Sequence, residues 1–235
     1  GISHEACSLA GTLGLSKLTV IYDDNGISID GEVAAWFGDD TPARFRAYGW
    51  HVISDVDGHD AIAIRTALDT ATSIEDKPSL ICCKTVIGMG SPNKQGTEAC
   101  HGAPLGESEV ELTRRALDWP DPPFQISDAV YKDWDAREAG ARVEAEWLDA
   151  FERYELSHPE LASELQRRIT GVVSQQAIET MDYHIARCVA LEADIASRTA
   201  SQQTLEALGP VVPELLGGSA DLAGSNLTLW SGSVS

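Results

Sequence analysis

Leu18-Thr-Val-Ile-Tyr-Asp-Asp-Asn-Gly26 decides the fold: a short apolar run rich in β-branched residues breaks off into Asp23, Asp24, Asn25 and Gly26. Such residues suit a pleated, buried surface and Asn-Gly is a turn signal, so the stretch reads as a strand ending in a polar turn. His51–Val56 and Ser79–Ile87 repeat the apolar run. Between them a helical stretch from about residue 57 to 72 carries Ile62, Ile64, Ala67 and Leu68, and residues 1–15 carry Ile2, Ala6, Leu9, Ala10 and Leu13 at helical spacing. Helices alternating with near-continuous apolar strands predict an α/β fold, a parallel sheet with helices on both faces.

In open parallel sheets ligands sit outside the carboxyl ends of the strands. Those ends carry Asp23-Asp24-Asn25, Asp55-Val56-Asp57, and the glycine-rich stretch Gly88–Thr97 leading to His101. The polar, flexible segments therefore fall on one rim. Further on, Ser108-Glu-Val-Glu111 predicts a capping box opening a helix, and Trp119-Pro-Asp-Pro-Pro123 breaks it. Residues 127–155 form one long charged helical pattern, Pro159 can start another helix, and 175–194 reads as a third. From Arg198 a short helix precedes Pro210 and the apolar run before Gly217-Gly218, which reads as a strand opening a second α/β domain. The organisation expected is a domain over 1–123, a helical connector over 124–196 and the start of another domain over 197–235.

The 235 residues are 43% hydrophobic, ample for a core, and no stretch approaches the roughly 18 apolar residues of a membrane span. A formal charge of −20 excludes a general nucleic-acid binder, which needs clustered Lys and Arg. Cys7, Cys82, Cys83, Cys100 and Cys188 lack zinc spacing and read as buried free thiols in a reducing cytosol, with Cys82 and Cys83 facing opposite sides of a strand. The chain opens at Gly1 without a methionine and closes at Trp230–Ser235 in mid-flow, so both ends read as cuts.

Four sets of residues can carry chemistry. Asn25 and a backbone carbonyl two residues on can offer oxygens to a magnesium ion, although Asp-Asn-Gly is equally a plain turn, and the residues alone favour the turn. His101, beside Gly102, can donate or accept near neutral pH, or simply be a loop histidine. Arg198 precedes a helix start, where anions are favoured, yet arginines are usually solvated. Gly217–Asp221 and Ser225-Asn226 join backbone freedom to hydroxyl and carboxylate groups, with a turn the plainer reading. His4, His51, His59, His158 and His184 lack such a setting.

The order and wording of these segments say more than any one of them. Gly1–Gly11 (Gly-Ile-Ser-His-Glu-Ala-Cys-Ser-Leu-Ala-Gly), Tyr22–Gly31 (Tyr-Asp-Asp-Asn-Gly-Ile-Ser-Ile-Asp-Gly), Gly90–Lys94, His101–Leu105 and Gly218–Leu222 through Ser225–Thr228 resemble the transketolases, in that order and across essentially the whole chain. The resemblance implies a thiamine-diphosphate-binding fold, with 1–123 most of the diphosphate-binding domain and the tail opening the pyrimidine-binding domain. It implies that Asn25 by its side chain and Ile27 by its carbonyl bind the divalent metal, Mg2+ or Ca2+. Asn25, Ile29, His101, Asp221 and Glu5 would meet or support the cofactor, the last two across a homodimer. His101 would handle protons, and together with Arg198 and Ser225 it would bind the sugar phosphate. The activity implied is reversible transfer of a two-carbon ketol unit from a ketose phosphate to an aldose phosphate, in the cytoplasm, without nucleic-acid or membrane partners. A dihydroxyacetone synthase, or an inactive split or truncated piece serving as a subunit, are the alternatives.

The family's Gly-Asp-Gly metal motif is absent from the sequence, as are its later catalytic glutamate and further substrate histidines and arginines. The chain alone is therefore expected neither to turn over nor to bind the cofactor tightly, and a Gly-Asp-Gly encoded just before Gly1 would mark it as part of a working enzyme. Glu98 and Ala99 stand where many relatives carry histidine and aspartate, and Gly224 replaces a frequent proline.

Overall fold

Three parallel strands build the sheet of the first part of the chain: β1 (Thr19–Asp24), β4 (His51–Asp57) and β5 (Ser79–Lys84), in the order β1-β5-β4. A small antiparallel hairpin, β2 (Ile27–Ser28) with β3 (Gly31–Glu32), follows β1 directly. The computed structural model describes residues 1–219 and 221–234, and divides the chain into two units between Ser127 and Asp128.

The near-continuous apolar run of β5 is what a strand covered on both faces requires. Ser79 to Cys83 are all buried, and their side chains alternate between two cores. Leu80 and Cys82 pack with Ala10, Trp50 and Phe45, whereas Ile81 and Cys83 pack with Val56, Ala67 and Ala71. Helices α1 (Ile2–Thr12) and α2 (Thr41–Ala47) thus cover one face, and α3 (Ala61–Thr72) covers the other. The helices on both faces and the opposed Cys82 and Cys83 agree with the sequence. Burial is the first cause raising both thiol pKa values. All five cysteines are free, but against the expectation only Cys82 and Cys83 are buried: Cys7 and Cys100 are half-buried, and Cys188 is exposed on a helix outside the sheet.

Three details differ from the expectation. Helix α2 is not among the elements the sequence predicts, yet Asp40 caps it by accepting from the Ala43 N–H at 2.8 Å, with Pro42 in its first turn. In α1 the large residues Ile2 and Leu9 are exposed, as is Leu13 at its C-cap, and the face that packs is the small one. There Ala10 is buried, Gly11 abuts the Tyr48 carbonyl, and the Trp50 indole donates to the Cys7 carbonyl at 2.8 Å. Strand β4 runs one residue past the expected Val56, to Asp57, and carries an irregularity that the sequence does not announce. The register slips between Ile53 and Val56, where Asp55 has φ 58°, because a bulge lets Ser54 and Asp55 stay in a strand otherwise apolar.

After the sheet come a 3-10 turn (Glu98–Cys100) and α4 (Glu107–Ala116). The expected capping box is not formed. The helix starts earlier, Gly106 with φ 86° is its N-cap, and Ser108 lies inside the first turn.

The second unit is helical: α5 (Asp128–Trp134), α6 (Arg137–Ser157), α7 (Pro159–Ile169), α8 (Gln175–Leu191), α9 (Ser197–Leu208) and α10 (Ala223–Asn226). The single helix expected over 127–155 is two, because the Asp135 carboxylate takes the Arg137 N–H at 3.1 Å and chelates its guanidinium. Arg167 ties α7 to its surroundings through Glu164, Glu214 and the Val172 carbonyl. The strand expected before Gly217 is absent among the described residues. Leu215 and Leu216 are exposed, and a lone strand with no neighbour to pair with has no stability of its own. Instead, residues 229–231 are strapped to α9: Gln202 donates to the Leu229 carbonyl, and Glu206 accepts from the Ser231 N–H and hydroxyl.

Candidate functional site

The sheet register places Asp24, Lys84 and Asp57 side by side at the carboxyl ends of β1, β5 and β4. Lys84 pairs with Asp24, a hydrogen bond that pushes the ammonium pKa up. The Thr85 hydroxyl donates to Asp23, and the Gly58 N–H donates to the Lys84 carbonyl at 2.9 Å. His59 completes the stitching. Its Nε2 accepts from the Val86 N–H at 2.8 Å, which puts the ring proton on Nδ1, while its own N–H donates to Asp57. The rim is thus a set of loops held edge to edge.

Asn25 and Ile27 come together here. Asn25 Oδ1 accepts from the Ile27 N–H at 2.9 Å, and Asn25 Nδ2 donates to Asp23 at 3.2 Å. The hairpin ladder adds a second constraint. The Val33 N–H bonds the Gly26 carbonyl, so by antiparallel alternation Ile27 and Glu32 form a non-hydrogen-bonded pair. Both the N–H and the carbonyl of Ile27 then point away from β3, to the edge where the Asn25 amide stands. The turn favoured by the residues alone is real, and it sets the Asn25 amide beside the Ile27 backbone. An amide oxygen keeps a second lone pair after one hydrogen bond. Asp23 and Asp24 are engaged with Thr85, Asn25 and Lys84, whereas the amide oxygen and the Ile27 carbonyl are neutral, hard oxygens of the kind that Mg2+ or Ca2+ takes. Among the described residues no cluster of three or more His, Cys, Asp or Glu could hold a metal by itself.

The glycine-rich stretch is a closed loop. The Gly96 N–H returns to the Ile87 carbonyl at 2.8 Å, and the Gly90 N–H donates to the Gln95 side chain at 3.0 Å. Gly88, with φ 65°, lies so close to Cys100 that a Cβ there would fall 2.6 Å from its sulfur. His101 follows the 3-10 turn, exposed, its N–H donating to the Glu98 carbonyl at 2.9 Å. Glu98 lies against the hairpin, its Oε2 3.8 Å from where a Cβ on Gly31 would stand. The segment of His101 and the hairpin of Asn25, Ile27 and Ile29 are therefore neighbours on the rim. Ile29 sits in the hairpin turn with its side chain exposed, and Glu5 is exposed in the first turn of α1.

Arg198, Ser225 and Asp221 belong to the second unit. Arg198 Nη1 lies 3.4 Å from the Ser225 carbonyl oxygen, so these two are brought together at the start of α9. Asp221 is exposed with φ 66°.

Sequence reasoning passed over Glu109, Lys84 and His59. Glu109 is buried in α4 and accepts from the Ser91 hydroxyl at 2.5 Å, the Asn93 N–H at 2.8 Å and Asn93 Nδ2 at 2.9 Å. Those bonds, the Ser91 one first, hold its carboxyl below the usual glutamate range. The Ser-x-x-Glu pattern one residue earlier drew the reading to Ser108 and Glu111 instead.

An open parallel sheet with helices on both faces and polar loops at its carboxyl rim defines an α/β ligand-binding domain of the kind that takes a phosphorylated cofactor. The chain belongs to the transketolase family: the model of the transketolase thiamine diphosphate binding domain matches residues 1–174. It is 58% identical to transketolase 2 of Vibrio vulnificus and 57% identical to transketolase 2 of Escherichia coli, over all 235 residues. The chain spans 35% of the length of each of these relatives. A transketolase of Pichia stipitis in complex with sedoheptulose-7-phosphate superposes with a TM-score of 0.86 at 36% identity, over 100% of this chain and 34% of that one. A transketolase of Leishmania mexicana gives 0.80 at 34% identity over 97% of this chain and 33% of its own.

Proposed function

We propose that this chain supplies the metal- and diphosphate-holding part of a transketolase, which moves a two-carbon ketol unit reversibly from a ketose phosphate to an aldose phosphate. The observation that supports the reading is the bond from the Ile27 N–H to Asn25 Oδ1 at the end of β1, which sets the Asn25 amide beside the Ile27 backbone. Bound thiamine diphosphate supplies the carbon nucleophile and electron sink of the reaction. The chain's own residues bind and orient. Asn25 and Ile27 hold Mg2+ or Ca2+ against the diphosphate, Ile29 packs beside the cofactor, and the closed loop 88–97 keeps backbone close to it. An imidazole nitrogen of His101 takes and returns the proton of the sugar hydroxyl on the carbon whose carbon–carbon bond is being cut or made. Arg198 and Ser225 hold the sugar's phosphate, with charge-assisted bonding from the guanidinium. Asp221 and Glu5 serve cofactors across a cytoplasmic homodimer. Residues 197–235 are assigned to the opening of the pyrimidine-binding domain, 1–123 to the diphosphate-binding domain, and 124–196 to the connector between them.

The test is Asn25→Ala in the full-length enzyme, read by calorimetry with thiamine diphosphate and Mg2+ varied separately. Affinity for both should fall together by about 10-fold to 100-fold, the usual loss at a metal site, while the KM for the sugar stays put. The 235-residue chain alone, offering two of the metal's oxygens, should show no tight binding. Unchanged metal and cofactor affinities in the variant would sink the assignment.

A further inference from the structure

We infer that Glu109 is a positioning residue for the reaction, clamping the loop that leads to His101; this rests on the role given to His101 above. Glu109 is the one buried carboxylate among the described residues, only 6% exposed. A buried carboxylate destabilises a fold unless its oxygens are fully bonded. Here all three partners are donors, and all three belong to the loop: the Ser91 hydroxyl, the Asn93 N–H and the Asn93 amide. That donor set requires the ionised carboxylate. None of these bonds stabilises α4 itself, which has ordinary helix bonding without them. Ser91, at the far end of the contact, is 1% exposed.

The clamp acts at one end of the segment, and a second tie acts at the other. Lys94 Nζ donates to the Leu105 carbonyl at 2.9 Å, closing the stretch that contains the 3-10 turn and His101. With Ser91 and Asn93 fixed, the loop closure from Gly96 to Ile87 and the seat of Cys100 against Gly88 fix the approach to His101. His101 itself has no side-chain hydrogen bond among the described residues, so its placement depends on this backbone.

In the full-length enzyme, Glu109→Ala should lower kcat by about 10-fold to 100-fold, the range expected when a reacting group is displaced by about 1 Å. KM for the sugar phosphate should rise much less than kcat falls, because Arg198 and Ser225 still hold the phosphate in the proposed site. Glu109→Gln keeps the volume, and Asn93 can turn its amide to meet it, so it should retain most activity. This variant guards against simple misfolding. In a His101→Ala background, Glu109→Ala should cost less than about 2-fold further, because residues acting as one unit are not additive. An undiminished penalty in that background, or a loss explained by the unfolded fraction in a thermal melt, would overturn the inference while leaving His101 in its role. A His101→Ala enzyme with full kcat would overturn the His101 reading and this one with it.

Discussion

Replacing Gly11 by alanine sets two effects against each other, and the structure decides between them. Gly11 lies inside α1 with an ordinary helical backbone, so propensity alone predicts a gain of about 1 kcal/mol. A Cβ there, however, would stand 2.9 Å from the Tyr48 carbonyl carbon, nearer still to its oxygen, and 3.2 Å from Trp50 Cδ1. Tyr48 cannot yield easily, because it is the C-cap of α2 and its N–H is bonded back to Arg44 and Phe45. Helix α1 must retreat, and overpacking of this kind costs about 1–3 kcal/mol. The retreat also stretches the bond from the Trp50 indole to the Cys7 carbonyl, now 2.8 Å. Trp50 is 5% exposed, so an orphaned indole N–H adds about 1–3 kcal/mol. The net is a destabilisation of about 3 kcal/mol. Urea unfolding followed by circular dichroism and tryptophan fluorescence measures it. An unchanged or higher midpoint for Gly11→Ala would show that propensity wins and that the seat of α1 on Tyr48 is not tight.

Two other outcomes follow from the second unit. Arg198→Ala in the full-length enzyme should raise KM for phosphorylated sugars by about 10-fold or more, the worth of a charge-assisted bond, with little change for unphosphorylated ones. Equal losses with both substrates would remove Arg198 from phosphate binding. The clip of Arg167 with Glu164 and Glu214 has an acid signature. Hydrogen bonds from Arg167, then Arg168, hold the Glu164 pKa at about 2, down from its ordinary 4.5. A depressed carboxylate pKa contributes stability above the unfolded value, and that contribution is lost as pH falls through the folded one. The urea midpoint of the wild type should therefore fall more steeply between pH 4.5 and about 2 than that of Arg167→Met. Parallel pH profiles would show that the clip is not formed in solution.

The sheet was legible because its middle strand had to be covered on both faces, and Ser79–Cys83 announces this as an unbroken apolar run. The place of Asn25 at the rim was legible for a different reason: a strand ending in Asp-Asp-Asn-Gly puts polar groups at the carboxyl rim in any parallel sheet. Helix α2 escaped because a helix of seven residues shows scarcely two turns of periodicity. The face of α1 was misread because periodicity marks large apolar residues, whereas the contact with Tyr48 and Trp50 selects small ones. Glu109 and His59 escaped on principle. Their partners lie 16 to 18 and 27 residues away in sequence, and no local spacing reports a pairing of that reach. The apolar run before Gly217 misled for the opposite reason, since a strand needs a neighbour and a sequence window shows only the strand.

The net charge of −20 gives the rim its electrostatic logic. Asp23, Asp24 and Asp57 stand at adjoining strand ends, and the one ammonium level with them, Lys84, is already paired with Asp24. A diphosphate brought bare to this edge would meet carboxylates at short range and be repelled. A divalent cation between them reverses the sign, provided that neutral oxygens are available to seat it without competing for Lys84 or Thr85. In the proposed site the Asn25 amide and the Ile27 carbonyl would meet that condition, and the bond from the Ile27 N–H already holds the amide in place. On this argument the order of binding follows from charge: metal and diphosphate must enter together or metal first, and the proposed loss of both affinities in Asn25→Ala is one event.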